Sequence, residues 1–229
     1  MSNLKRNGQL RWSPSYLRNR GQMTRGQKRA LREWWPLYGI SFRHDEVIKL
    51  DEHFNQNGPL VIEIGFGAGD HLVSLAEALP DHRILGIEVH RPSLAATTQK
   101  IHNAGITNTR LIRGDARLIL TDHLADRIAD AFIIQFPDPW PKAGDAHRRL
   151  IQPSMVEVLS ERLLPDGELI VITDVAAYAA HTSEIMSSLK SWTPTSCSKF
   201  NEHRIKTNYE KKALASSRQI SELSFQLKP

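Results

Sequence analysis

Residues 60–70 read LVIEIGFGAGD. A short apolar run passes into a loop with glycine at every second position, and an acid follows at once. Such a run, bounded by glycines, reads as a buried strand ending in a tight turn. Helical spacing then begins in HLVSLAEAL (71–79), so strand, glycine loop and helix follow in that order.

The same rhythm repeats downstream. RILGIEV (83–89) is strand-like and SLAATTQKIHNA (93–104) helical, closed by Gly105. TRLIRG (109–114) and DAFIIQF (130–136) continue the strands, with a shorter helix between them. SMVEVLSERLL (154–164) leads through a Pro165-Asp166-Gly167 turn into ELIVIT (168–173). Strands apolar at nearly every position, alternating with helices, predict a mostly parallel sheet with helices on both faces. After a helix near 176–190, the strand candidates 193–200 and 220–227 lack a long helix between them, which predicts an antiparallel end to the sheet.

At 229 residues the chain suits one sizeable domain. The expected division is a basic arm with a short helix over 1–50 and the α/β domain over 51–229. TRGQKRALREWW (24–35) reads as that helix, with Thr24 as N-cap and Pro36 closing it. No run of eighteen apolar residues suggests a membrane span. The first residues carry no apolar signal segment, and the single Cys197 excludes an internal disulfide, so a cytoplasmic location is expected.

The net charge of +5 is unevenly spread: no acid precedes Glu33, while Lys5, Arg6, Arg11, Arg18, Arg20, Arg25, Lys28, Arg29 and Arg32 do. Trp12 and Tyr16 lie among these cations. Cations interleaved with aromatics suit a polyanion with unstacked bases. A solvated tail and an organellar transit peptide are the other readings, and Pro14 with glycines 8, 21 and 26 weighs against the second.

In open α/β sheets, ligands gather past the carboxyl ends of the strands. Five acids stand there: Glu63, Glu88, Asp115, Asp138 and Asp174. The loop Gly65-Phe-Gly67-Ala-Gly69 allows close ligand approach, though a purely structural turn would look the same. As a dinucleotide fingerprint it is incomplete, with Asp70 in the third glycine position. Glu88 suits the two hydroxyls of a ribose. Carboxylates at Glu63 and Asp115 would repel the pyrophosphate of NAD and attract the cationic end of S-adenosylmethionine, which is therefore the expected cofactor, with Asp115 placed to accept from its adenine amino group. Asp115 is also placed to cap the following helix, and both roles can coexist. His71, His90, His147 and His181 have no metal-site spacing, and no metal is expected.

The fourth strand ends in FPDPW (136–140), with Lys142 close behind. Prolines 137 and 139 leave Asp138 little conformational freedom, so its carboxylate is preorganised. Trp140 offers a stacking face and Lys142 a charge for a phosphate or base carbonyl; simple core packing of Trp140 is the alternative.

EIGFG (63–67), GIEVH (86–90), GDA (114–116), FPDPW with Lys142, TD (173–174) and the arm segment 20–40 together resemble the bacterial tRNA (guanine-N7-)-methyltransferases over about residues 18–212. The resemblance implies a Rossmann-like S-adenosylmethionine-dependent methyltransferase sheet acting on N7 of a guanine in tRNA. It implies cofactor binding by Glu63, Gly65, Gly67, Glu88, Asp115 and Asp138, with Asp138 at the active centre. Lys142, Asp174, Thr207, Asn208, Tyr209 and Glu210 would meet the substrate, and Gly144, Asp145, Ala146, His147, Arg148 and Arg149 the RNA. Three features depart from the family pattern: Val175 replaces its usual tryptophan, KAGDAHRR is less basic, and KKALASSR follows Glu210 in place of Arg-Gly. The other function readings are a methyltransferase for a different RNA, an RNA-binding relative without turnover, and an NAD-dependent oxidoreductase on the same sheet.

Overall fold

The computed structural model describes residues 5–6, 9–10, 23–196, 198 and 200–229. Most of the basic arm, with Arg11, Trp12, Tyr16, Arg18 and Arg20, lies outside the described residues, as does Cys197. Two two-residue strands, β1 (Lys5–Arg6) and β2 (Gln9–Leu10), pair antiparallel. The chain divides into two units, Met1–Leu124 and Ala125–Pro229.

In the first unit a parallel sheet runs in the order β3 (Gly39–Ile40), β6 (Thr109–Arg113), β5 (Arg83–Glu88), β4 (Leu60–Ile64). The apolar side chains of the three longer strands are buried, as expected of strands covered on both faces. The covering helices include α3 (Asp70–Ala78) and α4 (Arg91–Asn103), which bury Leu72, Leu75, Leu94 and Ile101. After β6 come a single helical turn, α5 (Ala116–Leu118), and a wider π-type turn at Ile119–His123.

Thr24 caps α1 (Arg25–Glu33) in a reciprocal box with Gln27: each backbone N–H donates to the other's side chain, at 3.0 and 3.2 Å. The helix packs on α4, with Ala30 fully buried and Trp34 stacked on His102 at 4.2 Å. Pro36 does not stop the chain turning, because it falls in the first turn of a second short helix, α2 (Trp35–Tyr38), where a missing N–H costs nothing. The edge strand β3 follows directly.

The second unit contains strands in the order β7 (Ala129–Gln135), β8 (Leu163–Thr173), β10 (Ser221–Leu227), β9 (Trp192–Thr195). β7 and β8 are parallel, whereas β10 runs antiparallel to both β8 and β9. The expected antiparallel end is therefore present. Helix α6 (Pro153–Arg162) ends one residue before pairing resumes at Leu163. Pro165-Asp166-Gly167 is consequently a bulge inside β8: Ala129 pairs with Leu163 but Ala131 with Glu168, and Asp166 takes φ 63°. α7 (Ala176–Ser188) and α8 (Asn208–Ala215) complete the unit. Among the described residues no helix is long and apolar enough to cross a membrane.

Candidate active site

The cofactor side belongs to the first unit. Gly65 and Gly67 leave β4 with φ of 71° and 55°, conformations that favour glycine. A Cβ added at either would meet no atom within 4 Å, so the loop borders open space. Under it, Glu88 is 7% exposed and accepts three backbone N–H bonds: from Gly67 at 3.0 Å, Val89 at 2.7 Å and His90 at 2.8 Å. One carboxylate thus fixes both the glycine loop and the exit of β5. Lys100 holds the loop from outside, donating to the Ala68 carbonyl at 2.7 Å and pairing with Asp70.

Glu63 is 2% exposed, and His71 Nδ1 donates to its Oε2 at 3.0 Å. The histidine comes from the first turn of α3, a partner that sequence spacing alone did not suggest. Asp115 caps α5, accepting the Arg117 N–H at 3.0 Å. An open glycine cradle with buried acids at the ends of β4 and β5, and a third acid after β6, fits a nucleoside with a cationic tail, and so fits S-adenosylmethionine. It does not fit a pyrophosphate, which those acids would repel.

The substrate side belongs to the second unit. Phe136 and Trp140 both adopt left-handed backbone, with φ of 48° and 42°, and they bracket Pro137-Asp138-Pro139. Each such residue costs roughly 1–3 kcal/mol, so the loop is held in a form that local preference opposes. Asp138 itself is exposed and, among the described residues, has no hydrogen-bond or ion-pair partner. Lys142, Gly144 and His147 are also exposed, while Asp145, Ala146 and Arg148 are half-buried.

Arg148 pairs with Asp145 at 3.2 Å and lays its guanidinium 4.9 Å from the centre of the Trp140 ring. One face of the expected stacking platform is therefore already covered by a cation. Arg149, expected at the RNA, points inward instead: it is 7% exposed and donates from Nε to the Pro139 carbonyl at 3.0 Å.

Asp174 is partly buried and ion-paired with Arg218, from the segment that departs from the family pattern. Thr207 caps α8, accepting the Glu210 N–H at 3.2 Å. Asn208 begins that helix, and its side chain lies outside the described residues. Tyr209 is 70% exposed, its ring 6.3 Å from that of Phe136 and within 19° of parallel. Glu210 is 2% exposed and turned into the protein, where Arg204 binds it. Burial works to lower the Arg204 pKa, but the hydrogen bond to Glu210 and the charges of Glu222 and Glu210 outweigh it and hold the guanidinium above its ordinary value.

A mostly parallel α/β sheet with a glycine loop above an acid-bound strand exit defines a nucleoside-cofactor enzyme of the methyltransferase class. The pattern of a family described as "Putative methyltransferase" matches residues 57–223. A tRNA (guanine-N(7)-)-methyltransferase from Halorhodospira halophila is 35% identical over 96% of this chain and 97% of its own length. One from Saccharophagus degradans is 41% identical over 76% of each chain. The chain belongs to the tRNA (guanine-N(7)-)-methyltransferase family. Among solved structures, the 16S rRNA methyltransferase KamB matches with a TM-score of 0.58 at 12% identity, covering 79% of this chain and 93% of that one, a likeness of fold.

Proposed function

We propose that this chain transfers a methyl group from S-adenosylmethionine to N7 of a guanine in tRNA. The observation that carries the reading is the FPDPW loop. Two residues in left-handed backbone bracket an exposed carboxylate, and such strain persists where the surroundings enforce it, commonly at working sites. The activity named for the relatives supplies the substrate class.

Bound S-adenosylmethionine supplies an electrophilic methyl group on a sulfonium. Glu63, Gly65, Gly67, Glu88 and Asp115 would hold it, with Glu88 at the ribose hydroxyls and Glu63 favouring the ammonium end. Guanine N7 carries a lone pair and no proton, so the protein needs no strong general base. Its task is to take the base from its stack, orient it and exclude alternatives. Positive charge develops on the purine as N7 is alkylated. Asp138, preorganised and without a partner among the described residues, would accept from the N1 and N2 edge of guanine, stabilise that charge and reject adenine, which lacks those donors. Lys142 and the exposed part of 143–147 would meet the RNA, and Tyr209 would stack against the extruded base.

The test is to incubate the purified chain with bulk tRNA and labelled methyl donor, then map the label by cleavage at 7-methylguanosine. Label on another base, or none, would reject the assignment.

A further inference from the structure

We infer that Arg149 is a positioning residue for methyl transfer, its buried guanidinium locking the loop that carries Asp138 and tying it to the start of the helix that follows Asp174. The inference rests on the guanine-N7 reading above and adds a device to the same site.

The two adjacent arginines do different work. Arg148, half-buried, lies over the Trp140 ring and pairs with Asp145. Arg149 is buried, and every hydrogen bond recorded for it goes to backbone: Nε to Pro139 O at 3.0 Å, and its terminal nitrogens to Trp140 O and Ala177 O, each at 3.4 Å. The bond to Pro139 is the strong one by length, and the other two are weaker. Its guanidinium carbon also stands 5.8 Å from the centre of the Tyr178 ring.

Stability alone does not call for this arrangement. Burying a guanidinium costs several kcal/mol unless excellent geometry offsets it, and apolar side chains of similar volume often serve a core better. The strained loop explains what the cation does. Its Phe136 end is anchored to β8, since the Phe136 N–H donates to Ile172 O at 2.7 Å. The Trp140 end has left-handed backbone and no ladder, and there Arg149 takes two successive carbonyls. Asp138 lies between these anchors.

The third carbonyl connects the loop to α7. Ala177 and Tyr178 sit in the first turn after Asp174, and the fully buried Tyr178 hydroxyl accepts the Ile151 N–H at 3.3 Å. One rigid, planar donor fork therefore spans the two segments that carry Asp138 and Asp174. Lysine has a single ammonium and cannot reproduce that fork.

The test compares Arg149→Lys and Arg149→Ala with the full wild-type chain on bulk tRNA. Displacement of a reacting group by about 1 Å costs on the order of 100-fold in rate. The expected result is a kcat fall of roughly 30- to 100-fold, with KM for tRNA and Kd for S-adenosylmethionine within about two-fold. Millimolar guanidinium, unlike equal sodium, should restore part of the Arg149→Ala rate. Unchanged kcat in either folded variant overturns the inference. So does a raised KM with a salt slope shallower by about one, the signature of a lost phosphate contact. If neither variant folds, side-chain NMR of the 15N-labelled wild type decides: a protected Arg149 Nε–H, with and without tRNA, supports the clamp, and rapid exchange in the free chain overturns it. Wild-type enzyme that methylates another base fails the guanine-N7 reading instead, and the kcat comparison is then made on the base it does modify.

Discussion

Arg204 grips Glu210 with both terminal nitrogens of its guanidinium, and the same fork reaches Glu222 on β10. Glu210 is an acid that the family resemblance assigns to the substrate, yet its side chain is 3% exposed and committed to this pair. Removing one partner of a buried pair strands the other charge, which costs about 3–5 kcal/mol. Glu222 partly compensates, so Glu210→Gln should cost about 3 kcal/mol and lower Tm by roughly 6–12 °C. Assayed well below that Tm, its KM for tRNA should stay within about two-fold of wild type. A normal Tm with a large rise in KM would return Glu210 to the substrate.

Asp138 should behave in the opposite way. It is exposed and no described residue pairs with it, so Asp138→Ala should change stability by no more than about 0.5 kcal/mol. S-adenosylmethionine binding, measured by calorimetry, should be largely retained. Methylation at N7 should fall by roughly 100- to 1000-fold, the scale of losing one preorganised electrostatic group. Near-normal N7 methylation in this variant would remove Asp138 from the centre of the mechanism.

Glu88 joins structure and cofactor binding in one group. Its carboxylate accepts from Gly67, Val89 and His90, so Glu88→Gln turns an amide N–H toward at least one backbone donor. The glycine loop should loosen and the cofactor Kd should rise by at least about ten-fold, equivalent to about 1.4 kcal/mol. Thermal unfolding without cofactor should show a lower Tm as well. Wild-type affinity with only the Tm lowered would make Glu88 purely structural.

The parallel core was legible because its signals are local. LVIEI, RILGIE, TRLIR and the residues around AFIIQ form strands within a residue or two of where apolar runs and flanking glycines place them. The bulge at Pro165-Asp166-Gly167 was not legible, since turn residues announce a change of direction but not that pairing has already begun at Leu163. Neither was the edge strand Gly39–Ile40, two residues whose pairing depends on β6, where Gly39 meets Leu111 and Ile40 meets Ile112. At the site, residue types located the acids and the glycines. The partners that distinguish them came from elsewhere in the chain: His71 for Glu63, Arg218 for Asp174 and Arg204 for Glu210. A motif can name an acid at a strand end, but whether that acid is spent on a neighbouring cation is settled by packing.

The basic arm yields a last prediction, and the fold determines where to cut. Removing residues 1–32 would take away α1, whose Ala30 is fully buried and whose Thr24–Gln27 box starts the helix. That truncation would confuse lost RNA contacts with lost packing on α4. Cutting after residue 22 leaves the cap and the helix intact while removing Lys5, Arg6, Arg11, Arg18 and Arg20. Each phosphate released contributes about 0.7–0.9 to the slope of log affinity against log salt. If most of these five cations meet tRNA, the slope should become shallower by roughly two to four. S-adenosylmethionine affinity should be unchanged, since the glycine loop and its supporting acids remain in place. An unaltered salt slope in this shorter truncation would assign the arm to solvent and leave tRNA binding to α1 and the loop after Lys142.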